Sequence, residues 1–359
     1  MRVLFTSVAL PGHFFPLVPI AWALRAAGHE VLVAVPGQFT ATVARAGLPV
    51  ASCGPEADFV ALSGGVGSAS EHGRVFGRLA AAGLPGMREL VRDFRPGLVV
   101  SERAEFAGPI AAAGHGVPQV EYHWGVAPLI DYRDGAAEVT GPIPEPAERL
   151  NPWPPRLRLP YALSHHSLRH VPYNGDAHVP RWALAPAPRP RICVTMGTLL
   201  PRLGPSGVRD LVLPLLEGLA GLGAEILVAV DEAVAATWPP LPGAVRAAGR
   251  LPLAQVLPGC SLVISHGGQG GLLTALAAGC PQLVLPQFDD QFDNAEAVVR
   301  SGAGLSLPPE AFSVAAVVER CRELLGDPAY ASAAGRVAAE IRALPSAWET
   351  VGLLRKVAG

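Results

Sequence analysis

The sequence predicts an α/β protein built from two Rossmann-like domains, and three observations lead to this fold class. Short apolar runs bounded by glycine or proline alternate with longer stretches rich in alanine and leucine, which is typical of parallel strands with helices on both faces of the sheet. The chain has 359 residues, enough for two domains with separate cores. Prolines concentrated in residues 179–190 interrupt the alternation, so a semi-rigid linker is expected there.

The first set of runs defines the amino-terminal domain. A helix is expected at residues 16–27, ending at Gly28 because glycine readily adopts the conformation that closes helices. The apolar run that opens the chain stops at Pro11 without a small-residue cleavage pattern, so we interpret it as a strand and not as a secretion signal. The strands are expected at residues 3–7, Glu30–Val35, 98–101 and Gln119–Tyr122.

The second set of runs defines the carboxy-terminal domain. A helix at residues 272–278 is expected to end at Gly279. The strands are expected at Arg191–Thr195, Glu225–Ala229, Leu262–Ser265 and residues 282–285. The resulting division gives a first domain at residues 1–184, a linker at 185–190, a second domain at 191–344 and a last helix at 345–359 that returns to the first domain.

Composition and charge exclude several classes of protein. The chain has 28 Lys+Arg and 30 Asp+Glu, so it lacks the excess of positive charge that a nucleic-acid backbone attracts. No run reaches the ~18 apolar residues that a membrane span needs. The 5 cysteines are far apart and form no C-x-x-C pair. We therefore expect reduced core cysteines, without disulfides or a metal site, in a cytoplasmic protein.

A glycine-rich segment follows the strand at Leu262–Ser265 and precedes a helix. Glycines let the backbone approach a ligand closely, and free N–H groups at a helix start attract an anion such as a diphosphate. A flexible turn without a ligand is the alternative. The spacing is neither that of a Walker A loop nor that of a G-x-G-x-x-G fingerprint. The segment consists of His266, Gly267, Gly268, Gln269, Gly270 and Gly271.

A second polar segment, with Asp290 and Gln291, follows the strand at residues 282–285. A carboxylate beside a carboxamide can accept from and donate to neighbouring hydroxyl groups, as sugar binding requires. Acidic residues at the start of a helix also cap it and interact favourably with its dipole, which is the alternative for this segment alone. The succession of the two segments favours ligand binding.

Together these residues resemble the nucleotide-sugar glycosyltransferases of the GT-B superfamily, specifically the actinobacterial enzymes that decorate antibiotics and other polyketides. The opening turn of that family, Gly-His-x-x-Pro, is present as Gly12, His13 and Pro16. Gly271 stands where the family has threonine, so one hydroxyl contact to the phosphate is lost. The donor signature of the family, with His-Gly-Gly-x-Gly, an Ala-rich helix, Pro-Gln and Asp-Gln-x-x-Asn-Ala, matches residues 266–270, 275–278, 281–282 and 290–295.

The resemblance implies a GT-B fold, with the two domains facing each other across a cleft, and an inverting sugar transfer. It makes His13 the catalytic base and Glu102 the carboxylate that orients it, although residue type alone leaves a loop histidine and a loop acid as alternatives. The donor-binding residues that it implies are Thr198, Arg250, Leu251, residues 266–271, Asp290 and Gln291. The acceptor-binding residues that it implies are Phe14, His123 and Trp124, the last with a core role as the alternative.

The resemblance also implies the substrates: a TDP- or UDP-activated deoxysugar, with TDP favoured, and a hydrophobic polyketide or other natural-product aglycone in antibiotic biosynthesis. The sequence contains no D-x-D pair, so fixed dipoles are expected to replace a metal, and no cofactor is expected. Two alternatives stay open, a C-glycosyltransferase that uses Asp131 or Asp134 and a catalytically idle homologue that activates a partner enzyme. The oligomeric state is open between a monomer and a homodimer.

Overall fold

The structure, a computed structural model, describes residues 1–64, 67–175, 178–199 and 207–359. Two parallel β-sheets form its framework, one in each half of the chain, which confirms the predicted fold class. The first sheet contains β1 Arg2–Thr6, β2 Glu30–Val35, β3 Val50–Ser52, β4 Leu98–Glu102, β5 Gln119–Tyr122, β6 Glu148–Asn151 and β7 His166–Ser167. The second contains β8 Arg191–Thr195, β9 Glu225–Ala229, β10 Val245–Gly249, β11 Leu262–Ser265, β12 Gln282–Val284 and β13 Gly304–Ser306.

Helices cover both faces of each sheet. Those of the first half are α1 Pro11–Phe14, α2 Val18–Ala26, α3 Thr40–Arg45, α4 Phe59–Ser63, α5 Ala69–Phe94, α6 Ala107–Gly114 and α7 Ile130–Thr140. Those of the second half are α8 Gly207–Ala220, α9 Glu232–Ala235, α10 Leu253–Val256, α11 Gln269–Ala278, α12 Asp290–Ser301, α13 Val314–Gly326, α14 Pro328–Ala343 and α15 Ala347–Ala358. Short 3₁₀ turns lie at Phe15–Leu17, Gly37–Phe39, Pro155–Leu157, Pro160–Ala162, Arg181–Leu184, Leu257–Gly259 and Pro309–Ala311.

The predicted strands are confirmed to within one residue at either end. The helix expected at residues 16–27 is interrupted at its start: α1 ends at Phe14, Phe15–Leu17 is a 3₁₀ turn, and α2 covers only Val18–Ala26. Pro16 and Pro19 cause the interruption, because proline has no N–H to donate inside a continuous helix. Five strands were not predicted, because they are short or partly exposed and give no continuous apolar run: β3, β6, β7, β10 and β13.

The strand order determines where a ligand can bind. The order is β3-β2-β1-β4-β5-β6-β7 in the first sheet and β10-β9-β8-β11-β12-β13 in the second. Successive strands are added towards one edge of the sheet up to a point and towards the other edge after it. This switch lies between β1 and β4 in the first sheet and between β8 and β11 in the second. The loops that follow such neighbours diverge and leave a crevice at the carboxyl ends of the strands. Thr6 pairs with Ser101 and Thr195 with Ser265, so each pair of loops starts at the same level.

Apolar side chains connect the two halves. Val126, Trp153 and Leu157 from the first half pack in one buried cluster with Leu272 and Leu276 of α11. The last helix, α15, buries Ala347, Val351 and Leu354 in the core of the first sheet. No helix within the described ranges combines the length and the apolar character that crossing a membrane requires.

Candidate active site

Loops at the carboxyl ends of both sheets enclose a cleft of about 560 Å³. The first half contributes residues that follow β1, β3, β5 and β7 and one residue of α5, and the second half contributes residues that follow β8, β9, β10, β11 and β12. The two crevices predicted by the strand orders therefore open into a single cleft, which is large enough for a small-molecule ligand.

His13 borders this cleft on the first helical turn after β1. Because β1 pairs with β4, the end of β4 brings Glu102 beside this turn. His13 Nδ1 lies 3.0 Å from Glu102 Oε2. The contact orients the ring and leaves Nε2 for a ligand hydroxyl, so the structure brings together the two residues that were predicted as a catalytic pair.

The carboxylate of Glu102 is only 1% exposed and has several donors. The Ala104 N–H and the Trp124 Nε1–H each donate to Oε2 at 2.8 Å. Burial raises the pKa of Glu102, but the neighbouring His13 ring and these donors outweigh burial, so the pKa lies below its usual value. Glu102 therefore carries a negative charge at neutral pH and can stabilise a positive charge on the imidazole of His13.

His266 follows β11, the strand of the second sheet that corresponds to β4 of the first. Its imidazole fits between Gly197 and Gly268, because a Cβ atom at either glycine would overlap the ring. Burial lowers the pKa of His266 to about 4, and the backbone of Thr195 offsets only part of this effect. His266 is therefore neutral at pH 7 and can donate one hydrogen bond without bringing a charge into the cleft.

The start of α11 carries backbone donors without acceptors. Gly268 is the N-cap and has no side chain that could bond the first N–H groups of the helix. The N–H groups of Gln269, Gly270 and Gly271 have no carbonyl four residues earlier in the helix. Gly270 and Gly271 border the cleft, and among the described residues no atom outside their own stretch of helix backbone lies within 4 Å of where their Cβ would be. This open helix end can hold an anion, as the sequence predicts.

Asp290 and Gln291 open α12 and border the same cleft. Asn294 Nδ2 donates to Asp290 Oδ2 at 2.7 Å, and the Gln287 N–H donates to Gln291 Oε1 at 2.9 Å. Burial raises the pKa of Asp290 to about 6 although the Asn294 hydrogen bond opposes the rise. Asp290 has a second carboxylate oxygen and Gln291 an amide nitrogen with which to bind hydroxyl groups.

The other predicted donor-binding residues divide into two groups. Thr198, Arg250 and Leu251 border the cleft. The prediction that Gly267 binds the donor is wrong, because this residue does not border the cleft. Its φ is 89°, and its carbonyl accepts from Asn294 Nδ2 at 3.0 Å. It gives the loop its shape instead of lining the cleft.

Gln269 borders the cleft but also joins the two domains. Its Oε1 accepts from the Gly125 N–H at 2.6 Å and from Trp153 Nε1 at 2.9 Å. In the described part of the chain, its Nε2 has no hydrogen-bond partner. The side-chain oxygen of Gln269 is therefore used for hydrogen bonds to the first domain, and only its amide nitrogen is left to bind the nucleotide sugar.

Of the three predicted acceptor-binding residues, only Trp124 borders the cleft, where its ring centroid lies 4.8 Å from that of His13. The prediction that Phe14 binds the acceptor is wrong, because the helical turn directs its side chain into the core against Phe39. The next residue, Phe15, reaches the cleft instead.

His123 is also wrong as an acceptor-binding residue. It is 2% exposed, and its ring nitrogens lie 3.0 Å from Glu121 Oε1 and 3.1 Å from Tyr161 Oη. Burial lowers the pKa of His123 to about 3, so it is a neutral core residue. Asp131 and Asp134 are exposed on α7 and do not border the cleft, whereas Tyr132 between them does.

An aromatic wall lies next to His13, and of its residues only Trp124 was predicted. Phe59 and Phe76 stack at 4.8 Å, and the Phe76 centroid lies 5.7 Å from that of His13. Their helices were not predicted, so no periodic pattern identified them. The residues that form this wall are Phe59, Phe76, Trp124, Tyr132 and Phe288.

His170 was missed as well. It borders the cleft with Nε2 buried and unpartnered among the described residues. A single histidine in an irregular segment carries no sequence signal that would have found it. As for metals, the described ranges contain no group of three or more His, Cys, Asp or Glu side chains that could hold an ion, and the cysteines are free.

Comparison with known proteins identifies the family. The model of the carboxy-terminal domain of erythromycin biosynthesis protein CIII-like proteins matches residues 214–357, and that of the amino-terminal domain matches residues 22–81 and 73–197. The chain belongs to this family. It is a glycosyltransferase with the GT-B fold. The resemblance inferred from the motifs is thereby confirmed.

Relatives and solved structures are similar to this glycosyltransferase over almost its whole length. The L-demethylnoviosyl transferase of Streptomyces niveus is 41% identical over 95% of this chain and 94% of its own. The elloramycin glycosyltransferase of Streptomyces olivaceus is 39% identical over 100% of this chain and 98% of its own. The spinosyn rhamnosyltransferase SpnG in complex with spinosyn aglycone is 31% identical, with a TM-score of 0.89 over 99% of this chain and 100% of its own. SsfS6 of Streptomyces sp. SF2575, complexed with thymidine diphosphate, is 31% identical, with a TM-score of 0.86 over 99% of both chains.

Proposed function

We propose that this glycosyltransferase moves a deoxysugar from a thymidine diphosphate (TDP) sugar to a hydroxyl group of a hydrophobic aglycone, with inversion at the anomeric carbon. The observation that carries the proposal is the His13–Glu102 contact of 3.0 Å in the same cleft as the open start of α11. A base and an anion site on opposite domains are what a single displacement needs, because the nucleophile and the leaving group occupy opposite sides of the anomeric carbon.

In the proposed reaction, His13 Nε2 takes the proton of the acceptor hydroxyl while the hydroxyl oxygen bonds to the anomeric carbon. The bond from that carbon to the diphosphate oxygen breaks, and its electron pair leaves with TDP. Glu102, bonded to Nδ1, stabilises the imidazolium that forms. The N–H groups at the start of α11 and the neutral ring of His266 stabilise the charge on the departing diphosphate.

Names of relatives support TDP-sugars as donors. One relative from Streptomyces peucetius, 32% identical over 99% of this chain, is a TDP-daunosamine transferase, and SpnG and SsfS6 have been solved with thymidine diphosphate. On the acceptor side, the aromatic wall supports a hydrophobic aglycone with a planar ring system, since stacked and edge-on aromatic contacts bind such rings well.

A transfer assay tests this proposal. Purified protein is incubated with TDP- and UDP-sugars in turn and with phenolic or macrolactone acceptors, and the anomeric configuration of the product is determined by NMR. We expect TDP-sugars to be used in preference to UDP-sugars and the configuration to be inverted. Retention of configuration, or the absence of both transfer and donor hydrolysis with all TDP-sugars, would contradict the proposal.

The proposed leaving-group site predicts activity without a divalent metal ion. Backbone dipoles and His266 supply the stabilisation, so transfer in excess EDTA should stay within about twofold of the untreated rate. The measurement is the initial rate with and without EDTA, and with Mg²⁺ added back. A complete loss that Mg²⁺ or Mn²⁺ restores would show that the diphosphate needs a metal.

Asp290 predicts a pH dependence of sugar binding. Its pKa is raised to about 6, so the carboxyl is charged above that pH and neutral below it. Only the charged form accepts strongly from sugar hydroxyls, so the affinity for a TDP-sugar should fall up to ~10-fold between pH 7 and pH 5. Calorimetric titration at both pH values measures this. Asp290→Asn should bind the TDP-sugar weakly at both, and an equally steep pH dependence in that variant would assign the effect to another group.

A further inference from the structure

A buried polar contact joins the two domains one residue before the proposed sugar-binding pair. His72 Nδ1 of α5 lies 2.5 Å from Asp289 Oδ2, and the Tyr132 hydroxyl of α7 donates to the same oxygen at 2.6 Å. The side chains of His72 and Asp289 are only 4% and 5% exposed. The proposed transfer step does not use this group of three residues.

The geometry fixes the direction of these hydrogen bonds. The Gly67 N–H donates to His72 Nε2 at 3.2 Å, so Nε2 is the acceptor nitrogen and Nδ1 carries the proton that Asp289 accepts. Burial and the nearby Asp289 keep the pKa of Tyr132 well above its usual value, so Tyr132 is also a donor. Both donors belong to a rigid wall, because α5 and α7 approach closely at Gly73, where a Cβ would lie 2.6 Å from the Tyr132 carbonyl oxygen.

The backbone of Asp289 is held in an unfavourable conformation. Its φ is 48° and its ψ is −126°, a region that glycine adopts easily and other residues rarely adopt. Aspartates at the N-caps of other helices, such as Asp231 and Asp327, accept hydrogen bonds from their own helix. Asp289 does not cap its own helix, α12, and its side chain reaches the first domain instead. The contacts to His72 and Tyr132 compensate for the strained backbone.

We propose that Asp289 is a positioning residue that couples the acceptor-side wall of the first domain to sugar binding. Held by His72 and Tyr132, it fixes the first turn of α12, so that Asp290 and Gln291 face the sugar. This inference rests on the proposed function, in which Asp290 and Gln291 bind the donor sugar. Because Tyr132 and Phe288 also border the cleft, the same contact keeps the aromatic wall next to the sugar site.

Asp289→Gly is the decisive variant. Glycine adopts the dihedral angles of Asp289 without strain, so the turn can still form while the interdomain contact is lost. We expect the dissociation constants of TDP-glucose and TDP-rhamnose to rise ~10-fold or more, since small displacements of positioning groups have effects of this size. The dissociation constant of TDP itself should stay within twofold, because α11 and its preceding loop hold the diphosphate. Calorimetric titration measures all three.

Asp290→Ala separates this inference from the proposed function. If that variant weakens TDP-sugar binding and Asp289→Gly does not, the positioning role is overturned while the proposed sugar site stands. If neither variant changes TDP-sugar binding, the sugar site itself is wrong. An Asp289→Gly variant that loses TDP and TDP-sugar affinity equally would assign Asp289 a general structural role and would also overturn the inference.

Variants of the two donors test the same contact from the first domain. Tyr132→Phe removes only the hydroxyl, and His72→Leu removes the ring N–H, whereas His72→Asn keeps an N–H donor at the place of Nδ1. We expect Tyr132→Phe and His72→Leu to weaken TDP-sugar binding with unchanged TDP binding, and His72→Asn to restore most of the loss. In the Asp289→Gly background, His72→Leu should add less than twofold, because its partner is already absent. Full additivity would overturn the coupling.

Discussion

Replacement of His13 by alanine is expected to lower the rate of sugar transfer by ~10²–10⁴-fold, the usual contribution of a positioned general base. His13 is the cleft residue whose Nδ1 is bonded to the buried carboxylate of Glu102, which leaves Nε2 to accept the acceptor's proton. The affinity for TDP should stay unchanged, because the residues proposed to hold the diphosphate belong to the second domain. Steady-state transfer rates and TDP titrations measure the two effects separately.

Two further variants define the role of His13. His115→Ala serves as the matched control, since His115 is exposed and its ring bonds to the Ala111 carbonyl in its own turn; it should transfer at the wild-type rate. Glu102→Gln should lose less than His13→Ala, because a carboxamide can still orient the ring but cannot stabilise its positive charge. A His13→Ala enzyme with the wild-type transfer rate would exclude His13 as the base.

The fold could be predicted from the sequence because most of the buried parallel strands are mainly apolar. Strands such as Glu30–Val35 and Leu262–Ser265 lie in the middle of a sheet and are covered on both faces. The edge strand Val50–Ser52 has no such run, since its residues are partly or fully exposed. Helix α5 was missed because its glycines and Pro85 resemble loop residues, although Gly73 is needed where α7 approaches closely.

The resemblance implied His13 and Glu102 as a pair, and the structure brings them together because His13 follows β1, Glu102 ends β4, and neighbouring parallel strands end at the same edge of a sheet. Side-chain direction within a short helical turn could not be predicted. Phe14 and Phe15 are adjacent and chemically alike, yet one points into the core and the other into the cleft. The interdomain contacts of Gln269 and Asp289 could not be predicted either, because they depend on how two separate domains dock.

Replacement of His266 by alanine is expected to lower the transfer rate by ~10²-fold or more, the usual cost of removing one preorganised donor to a developing negative charge. The protein should remain folded, because His266 is neutral at pH 7 and its loss leaves no unpaired charge in the cleft. TDP-sugar affinity should fall with the rate, unlike in His13→Ala. Rates, TDP titrations and thermal unfolding of the variant measure these effects.

The position of the His266 ring can be tested without removing it. Gly197→Ala should reduce TDP binding as His266→Ala does, since the new methyl group would overlap the imidazole and displace it from the start of α11. His266→Gln keeps an N–H donor at the same site and should recover part of the lost rate. If His266→Ala bound and used TDP-sugars like the wild type, the diphosphate would have to lie elsewhere than at the glycine loop. A loss in Gly197→Ala alone would then point to the loop backbone, not the imidazole, as the group that holds the leaving phosphate.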